Sequence, residues 1–487
     1  MVLSHFYFQV SRVDNKHMDQ SKYFDADVIV IGTSIASQSV IHQLRNTNVK
    51  ILVLEGGDLQ RTDFADSLTF SDERGHYVNH HWGGHWLRAY GGASRVWNGF
   101  SAPLEKWDMV GIDGRPKWPI TIDEMEKWYR LSAPLMGEDS SIANLVKYDT
   151  AKLFVDRPYI IIDPPLSYSD PKLLTSSKNI ELRLKHNVIK FTADDSGSYI
   201  NGIWYSVDGK VQFAGIKKNT RIVLGAGGLG NAQVLLQPAD NRQVQVGNES
   251  GLVGKTLMAH PHVPTGEGFV DPSVVSKPTW AQVKYRKWLP AYIVGADYKT
   301  KLNLLNASIS LTPAAIRELS PNEQAVQEFY QKKWGKKLEL HTFYARTEQL
   351  PNIDNRIEII TEKNAAGLHK MKIYCVFGAR DMMSIDTTAR MLADHLLKNK
   401  LGVTTIDNES IFLNTWGWAH PSGITRFGSS PKDSVCDANC RVWSYQNLYI
   451  NGSSLFPTVG YANPTWSIAA LGMRLGDHLK QELKKSA

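Results

Sequence analysis

A chain of 487 residues exceeds what one hydrophobic core usually serves, and its 42% hydrophobic and 21% charged residues are those of a folded globular protein, so disorder is excluded and two closely packed regions are expected. The formal net charge of +7 is dispersed among acids, apart from short clusters such as Lys332-Lys333 and Lys484-Lys485, and neither a basic stripe nor a recognition motif accompanies it, which argues against nucleic-acid binding. No run reaches the roughly 18 apolar residues of a membrane span and no basic segment followed by an apolar one opens the chain, so a soluble, cytoplasmic protein is expected.

Residues 1–24 read as an N-terminal extension. The apolar run at 27–31 predicts a buried parallel strand, followed by Gly32 and a helix through Leu44, and a second apolar run at 50–54 ends in Glu55. Residues 58–120 carry few strand signals but many Gly, His and Trp, a length that points to function rather than connection. Runs at 180–190 and 220–227 read as further strands of the same sheet and would bring Val188 and Ala226 to a bound nucleotide. Between 261 and 415 the pattern changes to alternating strands, as at 356–360 and 370–374, with a helix near 381–398. The tail returns to a strand from Asn447 and a helix ending near Leu483. The expected fold is α/β, α+β overall: a discontinuous Rossmann-like region (25–260 with 416–487) and an inserted antiparallel-sheet substrate region (261–415).

In a dinucleotide-binding turn the first glycine makes the bend, the second admits the pyrophosphate and the third allows close helix packing. Gly32-Thr33-Ser34-Ile35-Ala36-Ser37 keeps only the first of the three, with Ser34 and Ile35 left to meet the phosphates. Glu55 follows Gly32 by 23 residues, near the spacing of a carboxylate that accepts from ribose hydroxyls, which favours an unphosphorylated ribose. By itself the motif leaves open that Gly32 is a turn glycine and Glu55 a surface residue. Cys375, Cys436 and Cys440 form no disulfide framework and are too few for a thiolate zinc site; Cys436 and Cys440 are read as free thiols, and no metal is expected.

Three blocks give the chain, from about residue 25 onward, a wider likeness. The first is DVIVIGTSIAS through VLEGG, the second Gly91-Gly92-Ala93-Ser94-Arg95-Val96-Trp97-Asn98-Gly99. The third joins Trp418-Ala419-His420-Pro421-Ser422-Gly423 to Asn451-Gly452-Ser453 and Gly460-Tyr461-Ala462-Asn463-Pro464-Thr465. Together they resemble the glucose-methanol-choline (GMC) oxidoreductases, nearest in appearance to bacterial sugar- and polyol-oxidising members.

The resemblance implies bound FAD and oxidation of a CH–OH group by hydride transfer to flavin N5. His420 would be the base and Asn463 would orient the hydroxyl. It also implies that Gly91, Gly92, Ser94, Asn98 and Gly99 lie along the cofactor, with Asn451, Gly452, Pro464 and Thr465 closing the site. Val96 stands where some sugar-oxidising relatives carry a flavin-linked histidine, so FAD is expected to be noncovalent. His80, His81 and His85 are read as ordinary polar residues, and His260 and His262 as structural.

The chain departs from the family pattern at Ile424, Phe427 and Asn451, the last removing a charge near the ribityl chain and phosphates. A small-molecule alcohol, carbohydrate by preference, is the implied partner, and no motif names the electron acceptor. Two alternatives stay open: lyase chemistry by a flavin on the same fold, and a cofactor-poor binding or partner protein, motivated by Ser34, Ser37 and Asn451.

Overall fold

The computed structural model of the chain describes residues 23–69, 71–76, 86–97, 99–112, 114–137, 150–157, 159–161, 170–239, 244–275, 287–314 and 317–486. Most of the N-terminal extension, His80, His81, His85 and Asn98 lie outside the described residues.

The strand–helix–strand unit at the head of the chain forms as its pattern predicts. Val28–Ile31 and Ile51–Leu54 are apolar at every position and buried on both faces, the signature of inner parallel strands. They sit in a five-stranded parallel sheet ordered Leu448–Ile450, Arg221–Leu224, Val28–Ile31, Ile51–Leu54, Ile180–Arg183. The run at 180–190 is split: its second half, Asn187–Ala193, leaves for a separate sheet with Ile200–Val207, Lys210–Ile216 and Tyr23–Phe24.

Helix Ile35–Leu44 packs on the last helix, Thr465–Ser486, and glycines let them touch. A Cβ at Gly472 would sit 2.7 Å from Ala36 O, and one at Gly476 2.7 Å from Val40 O. The missing third glycine of the dinucleotide turn is made good across the sheet. Ser37 is fully buried, and a Cβ at Gly225 would fall 2.4 Å from its Oγ, so Gly225 supplies the space that Ser37 takes.

The second layer is an antiparallel sheet running Gly402–Thr404, Met258–Val270, Glu339–Thr347, Ala307–Pro313, Ala291–Val294, Phe154–Asp156. Trp416–Ser422 also pairs with Met258–Val270, so this sheet draws strands from both sides of the 261–415 segment. Helix Ala379–Lys398 packs across it, its Ile385, Ala389, Leu392 and Leu396 sharing a core with Val263, Ile309 and Phe343. The hairpin of Arg356–Lys363 and His369–Cys375, expected here, instead pairs with Ser71–Gly75 and buries Ile357, Met371 and Ile373 in the core of the nucleotide layer. Helix Pro321–Trp334 was not expected; its signal was the capping box of Ser320 and Glu323 around Pro321.

A buried ionic cluster joins the two layers. Lys299 Nζ lies 3.3 Å from Glu105 Oε2 and donates to Asn306 Oδ1 at 2.9 Å, while Asn306 Nδ2 donates to Asp108 Oδ1 at 2.7 Å. Arg157 approaches Glu105 at 3.4 Å and Arg115 approaches Glu348 at 3.3 Å. All six charged side chains are buried, three cations against three acids. Asp108 is held above the usual carboxylate range by burial and by the charges of Glu105 and Glu348. Thr458 donates to the Asp108 carbonyl, and a Cβ at Gly460, whose φ is +62°, would meet Asp108 Oδ2 at 2.9 Å. The cluster therefore backs the loop that leads to Asn463.

Candidate active site

One cavity of about 490 Å³ runs between the two layers. The N-terminal ends of three helices open into it: Ile35–Leu44, Gly227–Leu235 and Thr465–Ser486. Each brings backbone N–H groups and the positive end of a helix dipole, a setting made for an anion such as a diphosphate.

At the nucleotide end the turn is built for close approach. Gly32 has φ +89°, and a Cβ there would stand 2.5 Å from Gly225 O, so only glycine fits. Ser34, at the N-cap of the first helix, makes no side-chain capping bond. The Ile35 N–H is already donated to Ser94 Oγ at 2.9 Å, so a phosphate there would compete with Ser94. Glu55 lines the cavity and is 6% exposed; Thr33 Oγ1 donates to its Oε2 at 2.5 Å and Gly57 N to its Oε1 at 2.8 Å. Burial raises its pKa against the pull of those donors, and each carboxylate oxygen retains a lone pair for a ribose hydroxyl. These features fit FAD: a glycine-only turn, convergent helix N-termini and a fixed carboxylate at the expected spacing.

Of the expected cofactor residues, Gly32, Ser34, Ile35, Glu55, Gly92, Ser94, Val188, Ala226, Gly452, Pro464 and Thr465 line this cavity. Gly91 and Gly99 do not; Gly91 N instead donates to Thr33 Oγ1 at 2.8 Å, fixing the glycine segment on the turn. Asn451 also stays off the wall. Its Nδ2 donates to Ala36 O at 2.8 Å and its Oδ1 accepts from Gly452 N at 2.9 Å, so both ends of the amide are spent on neighbouring backbone.

Arg88 was not foreseen. Its guanidinium donates to Gln233 Oε1 at 3.1 Å, lies 4.8 Å from the Trp86 ring, and is lowered by burial to a pKa of about 10. It lies in a segment without periodicity, which is why pattern reading passes over it.

At the other end His420 and Asn463 meet. His420 stands on strand Trp416–Ser422 and Asn463 two residues before the last helix, and Asn463 Nδ2 lies 3.1 Å from His420 Nε2. When that amide donates, Nε2 carries a lone pair, the form in which it can take a proton. The loop before Asn463 is pinned by Trp118 Nε1 to Thr458 Oγ1 at 2.7 Å and by Tyr159 OH to Tyr461 O at 3.2 Å.

His260 packs edge-on to His420 with centroids 5.1 Å apart and is hydrogen-bonded through Nε2 to Val459 O at 3.2 Å, as a structural histidine would be. His262, read as structural, lines the cavity together with Tyr344 and Arg346. The strand pattern carried that signal: in Glu339–Thr347, Phe343 and Ala345 enter the core, so the alternate positions Tyr344 and Arg346 face the other way.

Burial, with the field of Arg346 adding to it, lowers His260 to about 4, and His262 moves the same way. Folded protein therefore binds fewer protons than unfolded protein between pH 4 and the ordinary histidine value of 6.5. Stability from His260 is full above pH 6.5 and falls through that window by about 1.4 kcal/mol per pH unit. Urea midpoints from pH 4 to 8 should show His260→Gln with a dependence shallower by about one proton; parallel curves would contradict this assignment.

Burial keeps Cys436 and Cys440 as free thiols, with Cys440 raised to about 12. No helix among the described residues is long and apolar enough to cross a membrane.

Residues 370–472, which include His420 and Asn463, match the family model described as GMC oxidoreductase. The chain is 24% identical over 272 residues to a 2-methyl-1,2-propanediol dehydrogenase of Mycolicibacterium austroafricanum, covering 53% of this chain and 48% of that protein. It is 25% identical over 272 residues to the fructose dehydrogenase large subunit of Gluconobacter japonicus, covering 54% and 47%. The chain thus spans about half the length of these relatives. Pyridoxine 4-oxidase from Mesorbium loti superposes with a TM-score of 0.63 at 13% identity over 94% of this chain and 99% of that one. A formate oxidase follows at 0.61 and 14%, with the same coverage. At these identities the structural likeness is one of fold.

Proposed function

We propose that this chain, which carries the GMC oxidoreductase domain at residues 370–472, is an FAD-dependent oxidoreductase that oxidises a CH–OH group of a sugar, polyol or glycoside. One observation carries the reading. His420 and Asn463, 43 residues apart in sequence, meet at 3.1 Å on the wall of the same cavity into which three helix N-termini open. The names of the relatives support the substrate class, since one is a 2-methyl-1,2-propanediol dehydrogenase and the other the large subunit of a fructose dehydrogenase.

FAD, when bound, supplies the hydride acceptor at N5. Gly32, Ser34 and the first-helix N-terminus would hold its diphosphate, Glu55 its ribose hydroxyls, and Arg88 would add positive charge at that end. Val96 lines the cavity without a nucleophilic atom, which favours noncovalent binding. His420 Nε2 takes the hydroxyl proton of the alcohol while Asn463 fixes the same oxygen, so that the carbon's hydrogen is aimed along one direction.

Protein purified with FAD supplied during expression is expected to release its flavin into the soluble fraction on heat denaturation. Before denaturation, sugars or polyols are expected to bleach the flavin band anaerobically. A broad panel of alcohols that left the band unchanged would sink the oxidoreductase reading, and flavin that stayed with the precipitate would contradict noncovalent binding.

A further inference from the structure

Among the described residues, Arg346 is a buried charge without a counter-ion. It is 9% exposed, and no Asp or Glu among the described residues forms an ion pair with it. Nη1 donates to Ser310 Oγ at 3.0 Å, and the guanidinium carbon lies 5.0 Å from the Tyr159 and Tyr344 ring centroids and 5.4 Å from that of Phe100. Ring faces soften the cost of burying a cation but leave its net charge in place. Three other buried cations between the layers, Lys299, Arg115 and Arg157, each have a carboxylate, while Arg88, at the nucleotide end of the cavity, is bonded to Gln233 and feels the charge of Glu55. Arg346 differs from those three in facing the cavity.

Its place in that cavity is fixed by strand pairing. Arg346 is the direct cross-strand partner of His262, whose ring centroid lies 6.0 Å from that of His420. An anion at the guanidinium would therefore lie on the same side of the cavity as the His420–Asn463 pair. A planar guanidinium suits a carboxylate, which can accept two parallel N–H bonds.

We propose that the alcohol this cavity takes carries a carboxylate, as a uronic or other hydroxy acid does, and that Arg346 binds that group while the hydroxyl lies against His420 and Asn463. This rests on the oxidoreductase reading above and narrows its substrate class. The positive field of Arg346, which also helps lower the pKa of His260 and His262, would attract that carboxylate.

The test uses the FAD-loaded protein and matched pairs of glucuronate, galacturonate and glycerate with their methyl esters. Anaerobic flavin reduction is expected to reach half its maximal rate at a concentration at least about tenfold lower for an acid than for its ester. The acid-to-ester ratio is expected to collapse about tenfold or more in Arg346→Gln and to recover in part in Arg346→Lys. In parallel, acetate titrated into oxidised protein should perturb the flavin spectrum in the wild type more tightly than in Arg346→Gln. Equal acid and ester values in the wild type overturn the proposal, even if the variants fail to fold. So does an Arg346→Gln variant that scales both partners equally, which would put Arg346 on the cofactor or in the wall. If no alcohol of any charge reduces the flavin, the oxidoreductase reading falls instead, and the acetate titration still decides whether Arg346 is an anion site.

Discussion

His420→Ala is expected to slow anaerobic flavin reduction by about 10²–10⁴-fold, the usual cost of losing a positioned base, while leaving FAD bound. The two halves of this expectation come from different parts of the structure. The nucleotide end, with Gly32, Glu55 and the first-helix N-terminus, does not touch His420, so flavin content read from the visible band should stay near the wild-type value. The reaction end loses the nitrogen that lies 3.1 Å from Asn463, and the neighbouring His260 is bonded to Val459 O. Stopped-flow reduction with a saturating alcohol measures the step directly. Near-normal reduction in the variant would remove His420 from its role, and loss of flavin would mean that the residue supports the fold.

Lys299→Met is expected to destabilise the protein by about 3–5 kcal/mol, because it strands buried acids whose partner has gone. Lys299 is fully buried against Glu105 and Asn306, with Asp108 one hydrogen bond further on. Removing its charge leaves Glu105, Asp108 and Glu348 against Arg115 and Arg157 alone. The cost should be greater at pH 8 than at pH 6: Asp108, already raised by burial and its acidic neighbours, can relieve the imbalance by holding a proton at the lower pH. Urea unfolding of the wild type and the variant at the two pH values tests both the size and the direction. A loss under 1 kcal/mol, or one independent of pH, would mean that the cluster is not electrostatically coupled. Since the cluster backs the loop to Asn463, alcohol-driven flavin reduction should weaken as well.

The elements read most directly from sequence were those whose burial is local and regular. The runs before Gly32 and before Glu55 read as buried parallel strands, because four consecutive apolar residues between turn signals are too short for a helix and leave no polar face for solvent. The amphipathic helix at Ala379–Lys398 and the closing helix were legible for the same reason. The hairpin of Arg356–Lys363 and His369–Cys375 was legible as strands, but its assignment to a layer was not. Alternation says that one face is buried; it does not say against what, and here the partners are Ser71–Gly75 and the core of the nucleotide layer.

By itself the sequence determined the local chemistry of this protein: a glycine turn after a buried strand, a carboxylate 23 residues on, and a histidine and an asparagine set in a closing signature. Such features depend on residue identity and short spacing, which a chain carries before it folds. Only the tertiary structure decided that Gly225 makes room for Ser37, that Asn451 faces backbone rather than the cavity, and that Arg346 faces the His420 end with no carboxylate of its own among the described residues. Each of these depends on atoms more than about 70 residues apart meeting across packed layers, or failing to meet, and excluded volume and charge neutralisation act through distance in space, on which sequence spacing is silent.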